Sequence, residues 1–388
     1  MFTPSEFRDL ISGRRRDLAA RLSRLGLRLL ETPYAMAVSR RNRRFDRGIT
    51  PIHRMSVPVV SVGNLTLGGT GKTPLVEWIA RWFRKRSVRV SIVSRGYGAE
   101  DGGRNDEARE LEQKLPDVPH VQNADRVAAA KIAIEELETQ LILLDDGFQH
   151  RRIGRDLDIV LLDALEPFGF EHVFPRGTLR EPLRGLRRAG AVILSRADML
   201  DPAEREKIRR RVEQLAPKAA WAEIRHAPLE LLSAGGQVKP LGDLRGSEII
   251  PERGRLARCE AAKMAALQNL PQPPRNIKLA AFCGVGNPAG FRHTLESCGF
   301  DLTGFRDFPD HHRYLREDIE SLAAWVNELG AEAIVCTHKD LVKIGLESLG
   351  GRPLWALRVG IEFLAGGDTL EAMLQKLIEK AVVGYASA

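Results

Sequence analysis

Short apolar runs alternate with helical patterns through the first two thirds of the chain. Five runs are almost continuously apolar, as expected for strands that are buried on both faces of a parallel sheet. These runs span residues 57–63, 88–94, 141–146, 157–163 and 191–198. Between them, apolar residues recur at helical spacing, as at Leu75, Ile79 and Phe83. The alternation predicts a doubly wound, mostly parallel α/β sheet, in which ligands bind beyond the carboxyl ends of the strands.

The pattern changes after this core, where two short extended runs flank an Ala-Gly-Gly turn. The turn predicts a β-hairpin, and we interpret residues 223–277 as a linker that contains the hairpin and a charged, proline-rich insertion at 247–277. Residues 278–388 resume the alternation and predict a second, smaller α/β domain. The remaining boundaries place a basic helical region at 1–50 and the larger core at 51–222.

Basic and apolar residues share the first fifty positions. Twelve arginines stand there against five carboxylates, so most of the net charge of +8 lies in this region. Leu18, Leu22, Leu25 and Leu29 recur among the arginines at helical spacing. This is the pattern of an amphipathic helix that lies on an anionic membrane surface. A solvated basic helix packed against its own domain is the alternative interpretation.

The composition of the 388 residues is that of a globular protein, with 43% hydrophobic and 28% charged residues. The positive charge favours an anionic partner. Nucleic acid, a phosphorylated small molecule and a membrane surface are the three candidates. The four cysteines form no CxxC pair, which argues against a zinc knuckle or a disulfide framework and favours a reducing compartment. No apolar run reaches the roughly 18 to 20 residues of a membrane span, and no secretory signal begins the chain, so we expect a cytoplasmic protein.

The segment NLTLGGTGKTPL, residues 64–75, follows the first apolar run and precedes a helical pattern. Its glycines let backbone N–H groups close around an anion, while Lys72 can reach the outer phosphates of a nucleotide and Thr73 can hold Mg²⁺. We therefore expect a P-loop NTPase-like site, although Thr66 stands where the common motif has glycine. A chance glycine-rich turn is the alternative. The expected nucleotide contacts are Thr66, Gly68, Gly69, Thr70, Gly71, Lys72 and Thr73.

The apolar run LILLDD ends in Asp145 and Asp146, whose carboxylates can bind Mg²⁺ directly or through water. Neighbouring side chains on a strand point in opposite directions, so one aspartate should face the metal more than the other. The expected metal ligands are Thr73, Asp145 and Asp146. The guanine-nucleotide patterns Asp-x-x-Gly and Asn-Lys-x-Asp do not follow the corresponding strands, which favours ATP over GTP.

Five segments carry a resemblance to a known family. In chain order they are VVSVGNLTLGGTGKTP, VSRGYG, LLDDGFQHRRIGRDLDIVLLDA, FPRGTLREPL and FPDHHRY. Together they resemble tetraacyldisaccharide 4′-kinase, the lipid A 4′-kinase of Gram-negative bacteria, from about residue 50 to 345. Thr66 and the DDGFQH block are both features of that family, so the unusual threonine supports the resemblance.

The resemblance implies transfer of the γ-phosphoryl group of ATP to the 4′-hydroxyl of a tetraacylated glucosamine disaccharide 1-phosphate. It implies ATP and Mg²⁺ as the nucleotide and the metal, and a lipid substrate that stays in the inner membrane. The protein would then be peripheral on the cytoplasmic face, with the anionic inner-membrane surface as a further partner. We expect no nucleic-acid partner and a monomeric protein.

The resemblance also implies residues that act on the hydroxyl of the substrate. In the family an aspartate after the SRGYG segment works with a histidine of the second domain, and here these match Asp106 and His311. A histidine oriented by a carboxylate is a good proton acceptor near neutral pH. The segment Asn105-Asp106-Glu107-Ala108 departs from the usual Gly-Asp-Glu-Pro of the family. A solvated loop acid and a surface histidine are the alternatives for this pair.

Further basic and acidic residues match family positions around the phosphates. Arg180 matches a residue that meets a phosphate, and Glu181 one that assists Mg²⁺ or the hydroxyl. Arg126 matches a basic position that opposes the charge of the substrate or the nucleotide. The expected catalytic residues therefore also include Lys72, Arg180 and Glu181. Arg126 is one of the expected nucleotide contacts. An ordinary surface salt bridge is the alternative for Arg126, Arg180 and Glu181.

Two other classes of protein are compatible with a P-loop and a basic arm. The first is a regulatory P-loop ATPase whose arm binds nucleic acid or membrane, but aromatic residues make up only 6% of the chain and no nucleic-acid motif appears. The second is a GTP-dependent metallochaperone, which the missing guanine patterns and the lack of a His- or Cys-rich tract disfavour. The lipid kinase is the leading hypothesis.

Overall fold

The computed structural model describes residues 4–96, 106–244, 277–310 and 312–386. The chain forms two compact units. The first unit comprises Met1–Ala227 and Gly360–Ala388, and the second unit comprises Pro228–Val359.

Helices and strands alternate in both units. In chain order, the first unit begins with α1 (Pro4–Ile11), α2 (Leu18–Asp46), β1 (Val59–Asn64), α3 (Lys72–Arg84), β2 (Val90–Ser94), α4 (Asp106–Lys114), β3 (His120–Gln122), α5 (Arg126–Glu136), β4 (Leu141–Asp145), β5 (Leu157–Asp163), β6 (Ala191–Ser195), α6 (Pro202–Leu215) and β7 (Ala220–Leu232). The following elements are β8 (Val238–Pro240), β9 (Lys278–Cys283), α7 (Pro288–Ser297), β10 (Asp301–Asp307), α8 (Arg316–Glu328), β11 (Ala333–Thr337), α9 (His338–Ile344), β12 (Ser348–Leu349), β13 (Arg352–Ala365) and α10 (Gly367–Ala386). The boundaries between the units fall within β7 and β13.

A parallel sheet forms the centre of the first unit, with the strands in the order β7-β6-β5-β1-β4-β2-β3. Strands β1, β4 and β6 are buried along their whole length because helices cover both faces. The five apolar runs of the sequence form β1, β2, β4, β5 and β6. The expected doubly wound, mostly parallel α/β fold is therefore confirmed, and the carboxyl ends of its parallel strands lie along one edge.

The C-terminal helix α10 belongs to the first unit. Its side chains Leu370, Leu374, Leu377 and Ala381 are buried in the same apolar cluster as residues of β1 and α3. The sequence pattern had instead assigned all of 278–388 to the smaller domain. The structure corrects that boundary, because the apolar face of α10 fills the core of the larger unit.

The second unit is a smaller α/β structure. Its parallel strands follow the order β10-β9-β11-β13, and two apolar clusters pack on them. Strand β8 pairs antiparallel with β7 to form the expected hairpin, and Gly236 in its turn has a φ of 81° that favours glycine. Of the expected insertion at 247–277, residues 247–276 lie outside the described residues.

Helix α2 presents an apolar stripe to solvent. Ala20, Ser39 and Phe45 are buried on its inner side, and Asp17 caps its first turn by accepting a hydrogen bond from the N–H of Ala20. On its outer side Leu18, Leu22, Leu25, Leu29 and Met36 are 58% to 72% exposed. In the described part of the chain, no helix is long and apolar enough to cross a membrane. Attachment of this stripe to a membrane surface stays a prediction.

The position of α10 predicts the effect of shortening its core side chains. Leu374 is fully buried, so Leu374→Ala should lower the free energy of unfolding by about 2–5 kcal/mol through lost burial and a cavity. Leu364, which is 39% exposed on β13, is the matched control, and Leu364→Ala should change stability by about 0.5 kcal/mol or less. Urea unfolding of both variants checks this, and equal losses would contradict the packing of α10.

Candidate active site

The glycine-rich loop connects the carboxyl end of β1 at Asn64 to the start of α3 at Lys72. Gly68 and Gly71 have φ values of 111° and 81°, which few residues other than glycine adopt. A Cβ atom at Gly71 would also lie 2.5 Å from Nε2 of His226. Both positions therefore need glycine for its conformation, and Gly71 needs it for space as well. The loop opens onto the N-terminus of a helix, where anions bind.

Thr66 forms part of a short backbone pairing rather than a phosphate-type turn. It makes an isolated antiparallel bridge with Leu179, and the flanking N–H groups of Leu67 and Arg180 donate to Thr178 O and Leu65 O, both at 2.7 Å. Thr66 is 6% exposed. A β-branched residue suits this extended, buried position, which explains why threonine replaces the usual glycine.

The far end of the loop is fixed by Ser195, the last residue of β6, and by Arg196, which follows it. The Ser195 hydroxyl donates to Thr70 O at 2.8 Å, and Nη2 of Arg196 donates to Gly69 O at 3.2 Å. Arg196 is itself held by Asp163, which accepts from its Nη1 at 2.7 Å. Both ends of the loop are therefore tied to the scaffold before any ligand binds.

Asp146 is at the centre of a charged cluster beside the loop. Its Oδ1 lies 3.4 Å from Nζ of Lys72, and its two carboxylate oxygens accept from Nη1 of Arg180 at 2.8 and 2.7 Å. Nζ of Lys72 also donates to Oδ1 of Asn64 at 3.2 Å. Residues from the β1–α3 loop, the end of β4 and the 178–181 segment thus converge on one carboxylate.

The cluster holds Asp146 in its ionised form. Burial alone would raise the pKa of Asp146, but Lys72, Arg180 and Arg126 outweigh burial and hold the pKa well below its usual range. Asp146 has a φ of 51°, and Nη1 of Arg126 donates to its backbone carbonyl at 2.8 Å. The preceding Asp145 ends β4 and is buried. The two aspartates therefore differ in exposure, and Asp146 is the one that contacts Lys72.

Neighbouring residues of the DDGFQH block support this geometry. A Cβ atom at Gly63 would lie 2.6 Å from Cβ of Phe148, and one at Gly147 would lie 2.5 Å from Oγ of Ser61. Both glycines let the ends of β1 and β4 approach each other closely. His150 is partly enclosed, and burial together with nearby arginines lowers its pKa to about 4, so the ring is neutral at pH 7.

Glu181 is enclosed by hydrogen-bond donors. Its side chain is fully buried, and its carboxylate accepts from Arg188 at 2.8 and 3.1 Å, from Asn42 at 2.7 Å and from Gln149 at 3.2 Å. Gln149 also donates to the carbonyl of Asn64 at 2.9 Å. The structure therefore gives Glu181 the position of an anchor between α2 and the P-loop, rather than an open position beside Mg²⁺ or a hydroxyl. The pattern of the sequence had not indicated Asn42, Gln149 or Arg188.

The remaining expected residues are described only in part. Asp106 is the first residue of α4, and its side chain lies outside the description. His311 lies outside the described residues altogether. Nε2 of the following His312 donates to Oδ2 of Asp318 at 3.0 Å. Nζ of Lys339 lies 3.2 Å from Oδ1 of Asp310.

No group of three or more His, Cys, Asp and Glu side chains in the described part of the chain forms a metal site. A protein-only cage for zinc is therefore absent from these residues. Mg²⁺ needs no such cage, because it binds through one or two carboxylates together with substrate phosphates and water. Asp145, Asp146 and Thr73, at the end of β4 and the start of α3, are the residues that fit this mode.

The enclosure of Glu181 predicts a structural role. Glu181→Ala would leave the half-buried Arg188 without its carboxylate partner and should lower the free energy of unfolding by about 3 kcal/mol. Glu213→Ala is the matched control, because the ion pair of Glu213 with Arg209 is half exposed, and it should cost about 1 kcal/mol or less. Urea unfolding measures both values. A loss of activity by Glu181→Ala at unchanged stability would contradict this role.

Comparison with known proteins gives consistent matches over nearly the whole chain. The family model of tetraacyldisaccharide-1-phosphate 4′-kinase matches residues 23–379. The tetraacyldisaccharide 4′-kinase of Anaeromyxobacter sp. (strain K) is 38% identical over 92% of this chain and 91% of its own. That of Chlorobaculum parvum is 33% identical over 95% of this chain and 99% of its own. The crystal structure of LpxK from Aquifex aeolicus in complex with ATP superposes with a TM-score of 0.66 at 25% identity, over 91% of this chain and 99% of that one. The chain therefore belongs to the tetraacyldisaccharide 4′-kinase family.

Proposed function

We propose that this protein transfers the γ-phosphoryl group of ATP to the 4′-hydroxyl of tetraacyldisaccharide 1-phosphate, a step of lipid A biosynthesis. The observation that carries the proposal is the cluster of Lys72, Asp146 and Arg180 at the mouth of the glycine-rich loop. The family of the chain favours this activity over a nucleic-acid-associated ATPase and over a metallochaperone.

The triphosphate of ATP binds at the loop between β1 and α3. The backbone N–H groups of residues 68–71 and the N-terminus of α3 face negative charge, and Lys72 reaches the outer phosphates. The Aquifex aeolicus structure that contains ATP supports the choice of nucleotide. Thr66 contributes by fixing the start of the loop against Leu179, which keeps the backbone donors in place.

Mg²⁺ supplies charge neutralisation between the outer phosphates of ATP when it is bound. Asp145, Asp146 and Thr73 are its proposed ligands. Asp146 is suited to this position because its cationic neighbours hold it ionised over the whole physiological pH range. Arrival of the nucleotide gives Lys72 a phosphate partner in place of Asp146, which lies at 3.4 Å.

Positive charge around the moving phosphoryl group is the main contribution of the protein to catalysis. Negative charge spreads over the equatorial oxygens of that group during transfer, and fixed cations stabilise it there. Lys72 and Arg180 are the proposed cations, and Arg126 supports them from a buried position beside the Asp146 backbone. Glu181 acts indirectly, because it holds Gln149 against the carbonyl at the end of β1.

Asp106 and His311 are the proposed residues that accept the proton of the 4′-hydroxyl. Their match to the family segments is the support for this role. The neutral imidazole of His311 is the proposed acceptor of that proton as the oxygen attacks the phosphorus.

The lipid substrate requires access to a membrane. The exposed leucines of α2 and the surrounding arginines support peripheral attachment to the cytoplasmic face of the inner membrane, where each basic residue near an anionic surface contributes about 1 kcal/mol. We propose that the protein acts there as a monomer without a nucleic-acid partner.

Removal of the P-loop lysine tests the proposed reaction. Lys72→Ala should abolish transfer of labelled γ-phosphate from ATP to tetraacyldisaccharide 1-phosphate in detergent micelles, because the outer phosphates lose their cation. Lys85→Ala, which removes an exposed lysine just after the same helix, should retain full activity. Wild-type protein that hydrolyses ATP without phosphorylating the lipid would reject the proposed acceptor.

Removal of the proposed base tests the second half of the mechanism. His311→Ala should lower kcat by about 10²- to 10⁴-fold with little change in KM for ATP, since proton transfer is slowed while binding is kept. The kcat of the wild type should fall on the acid side as the base becomes protonated, and this limb should disappear in the variant. Added imidazole should restore part of the rate. An unchanged kcat would exclude His311 from proton transfer.

A further inference from the structure

The turn after β4 is held in an unusual backbone conformation. Asp146 begins it with a φ of 51°, which a residue with a side chain adopts only at a cost in free energy. The N–H of Gly147 donates to Val62 O at 3.0 Å, and the N–H of His150 donates to Gly147 O at 2.9 Å. The carbonyl groups of the turn also need donors where they are buried, so these two bonds are not the whole of its support.

Arg155 supplies donors to the carbonyl groups of this turn. Its Nη2 donates to Gly147 O at 2.6 Å and to His150 O, and lies 3.5 Å from Phe148 O. The side chain of Arg155 is 10% exposed. A guanidinium carries several N–H donors in one plane, so a single side chain can gather carbonyl groups from neighbouring positions of the turn. The turn therefore closes around one buried arginine.

Asp158, the second residue of β5, holds Arg155 in place. Its Oδ2 lies 3.8 Å from Nη1 of Arg155, and its side chain is 9% exposed. Burial raises the pKa of Asp158, while the charge of Arg155 opposes that rise. In the parallel pairing of β5 with β1, Asp158 stands beside Ser61. The arginine is therefore anchored to a central strand next to the one that leads into the P-loop.

The peptide group that follows Asp146 is fixed at both of its polar ends. Its carbonyl accepts from Nη1 of Arg126 at 2.8 Å, and its N–H is the one that donates to Val62 O. The next carbonyl along the chain, that of Gly147, accepts from Arg155. Two separate arginines thus hold consecutive carbonyl groups, and the backbone at Asp146 cannot relax to an extended conformation without breaking these bonds.

The backbone conformation at Asp146 decides where its carboxylate lies. In the observed turn the carboxylate contacts Lys72 and Arg180, whereas Arg155 contacts the backbone of the turn. Arg155 is therefore placed to act on the phosphoryl-transfer site through the chain conformation. Burying a guanidinium is costly unless its position serves an interaction that an apolar side chain cannot make, and here that interaction is the closure of the turn.

We propose that Arg155 is a positioning residue for the metal site, because it holds the turn in the conformation that makes the Asp146 carboxylate available to Mg²⁺. This role rests on the proposed function, in which Asp146 is a metal ligand. Without the guanidinium, the carbonyls of Gly147 and His150 lose a donor and the turn opens. Asp146 then returns to an extended backbone, and its carboxylate leaves Lys72.

Nucleotide binding tests this role without any acceptor lipid. The dissociation constant (Kd) of the fluorescent analogue N-methylanthraniloyl-ATP is measured with Mg²⁺ and in EDTA. Arg155→Met keeps most of the length of the side chain and removes its donors. It should raise the Kd measured with Mg²⁺ by about 10-fold, as is common when the support of a metal ligand is lost, and leave the Kd in EDTA unchanged. An unchanged Kd with Mg²⁺ would overturn the proposal.

A second arginine provides the matched control. The side chain of Arg151 is 9% exposed, but it donates to Asn42 O at 2.9 Å and to Asp46 at 2.7 Å instead of to the turn. Arg151→Met should destabilise the protein in urea unfolding and leave both Kd values unchanged. Equal effects of Arg151→Met and Arg155→Met on the Kd with Mg²⁺ would show a general loss of stability and reject the positioning role.

A conservative variant tests the geometry of the donors. Arg155→Lys keeps the positive charge without the planar fork, so its Kd with Mg²⁺ should lie between those of wild type and Arg155→Met. If Arg155→Met does not fold, Arg155→Lys carries the comparison alone, and a wild-type Kd in that variant would reject the proposal.

A double variant shows whether Arg155 acts through Asp146. In the background of Asp146→Asn the metal lacks this carboxylate, so Arg155→Met should cause no further change in the Kd with Mg²⁺. A full second effect would overturn the proposal. Hydrogen exchange of the ligand-free protein gives an independent measurement, because the N–H groups of Gly147 and His150 should exchange faster in Arg155→Met and at the wild-type rate in Arg151→Met.

The same measurements separate this inference from the proposed reaction. Wild-type protein that shows these binding effects without phosphorylating the lipid would reject the proposed acceptor and support the role of Arg155. Lipid phosphorylation by Arg155→Met with a wild-type dependence on Mg²⁺ would support the proposed reaction and reject the role of Arg155.

Discussion

The carboxylate of Asp146 is the interaction on which the site depends. Lys72 and Arg180 meet at this group, and Arg126 holds its backbone from the other side. Three cations this close would repel one another without the carboxylate, and the carboxylate would not keep so low a pKa without them. The P-loop is therefore already charged and ordered for a nucleotide, which reduces the reorganisation needed on binding.

Hydrogen bonds connect the charged cluster around Asp146 to other elements of the first unit. The 178–181 segment pairs with the start of the loop, supplies Arg180 and ends in Glu181, whose carboxylate bonds to α2 and to Gln149. One short stretch thus connects the nucleotide loop, the charged cluster and the N-terminal helix. The apolar stripe of α2 is consequently tied to the phosphoryl-transfer site through a few buried polar contacts.

Much of this arrangement was predictable from local sequence, and some was not. The buried strands follow from their continuous apolar runs, and Lys72 and Asp146 follow from motifs whose spacing is set by a strand and a helix. The pairing of Thr66 with Leu179 joins segments 113 positions apart in sequence, so no local pattern indicates it. The same holds for the enclosure of Glu181 by Asn42 and Arg188, and for α10, whose apolar face did not reveal which core it fills.

The placement of α10 has a consequence for how the protein is made. The first unit is built from both ends of the chain, because residues 360–388 complete a core that residues 1–227 begin. Synthesis proceeds from the N-terminus, and domains generally fold as units. The nucleotide-binding unit therefore closes its core only after α10 has been synthesised, so a chain interrupted before α10 lacks part of that core.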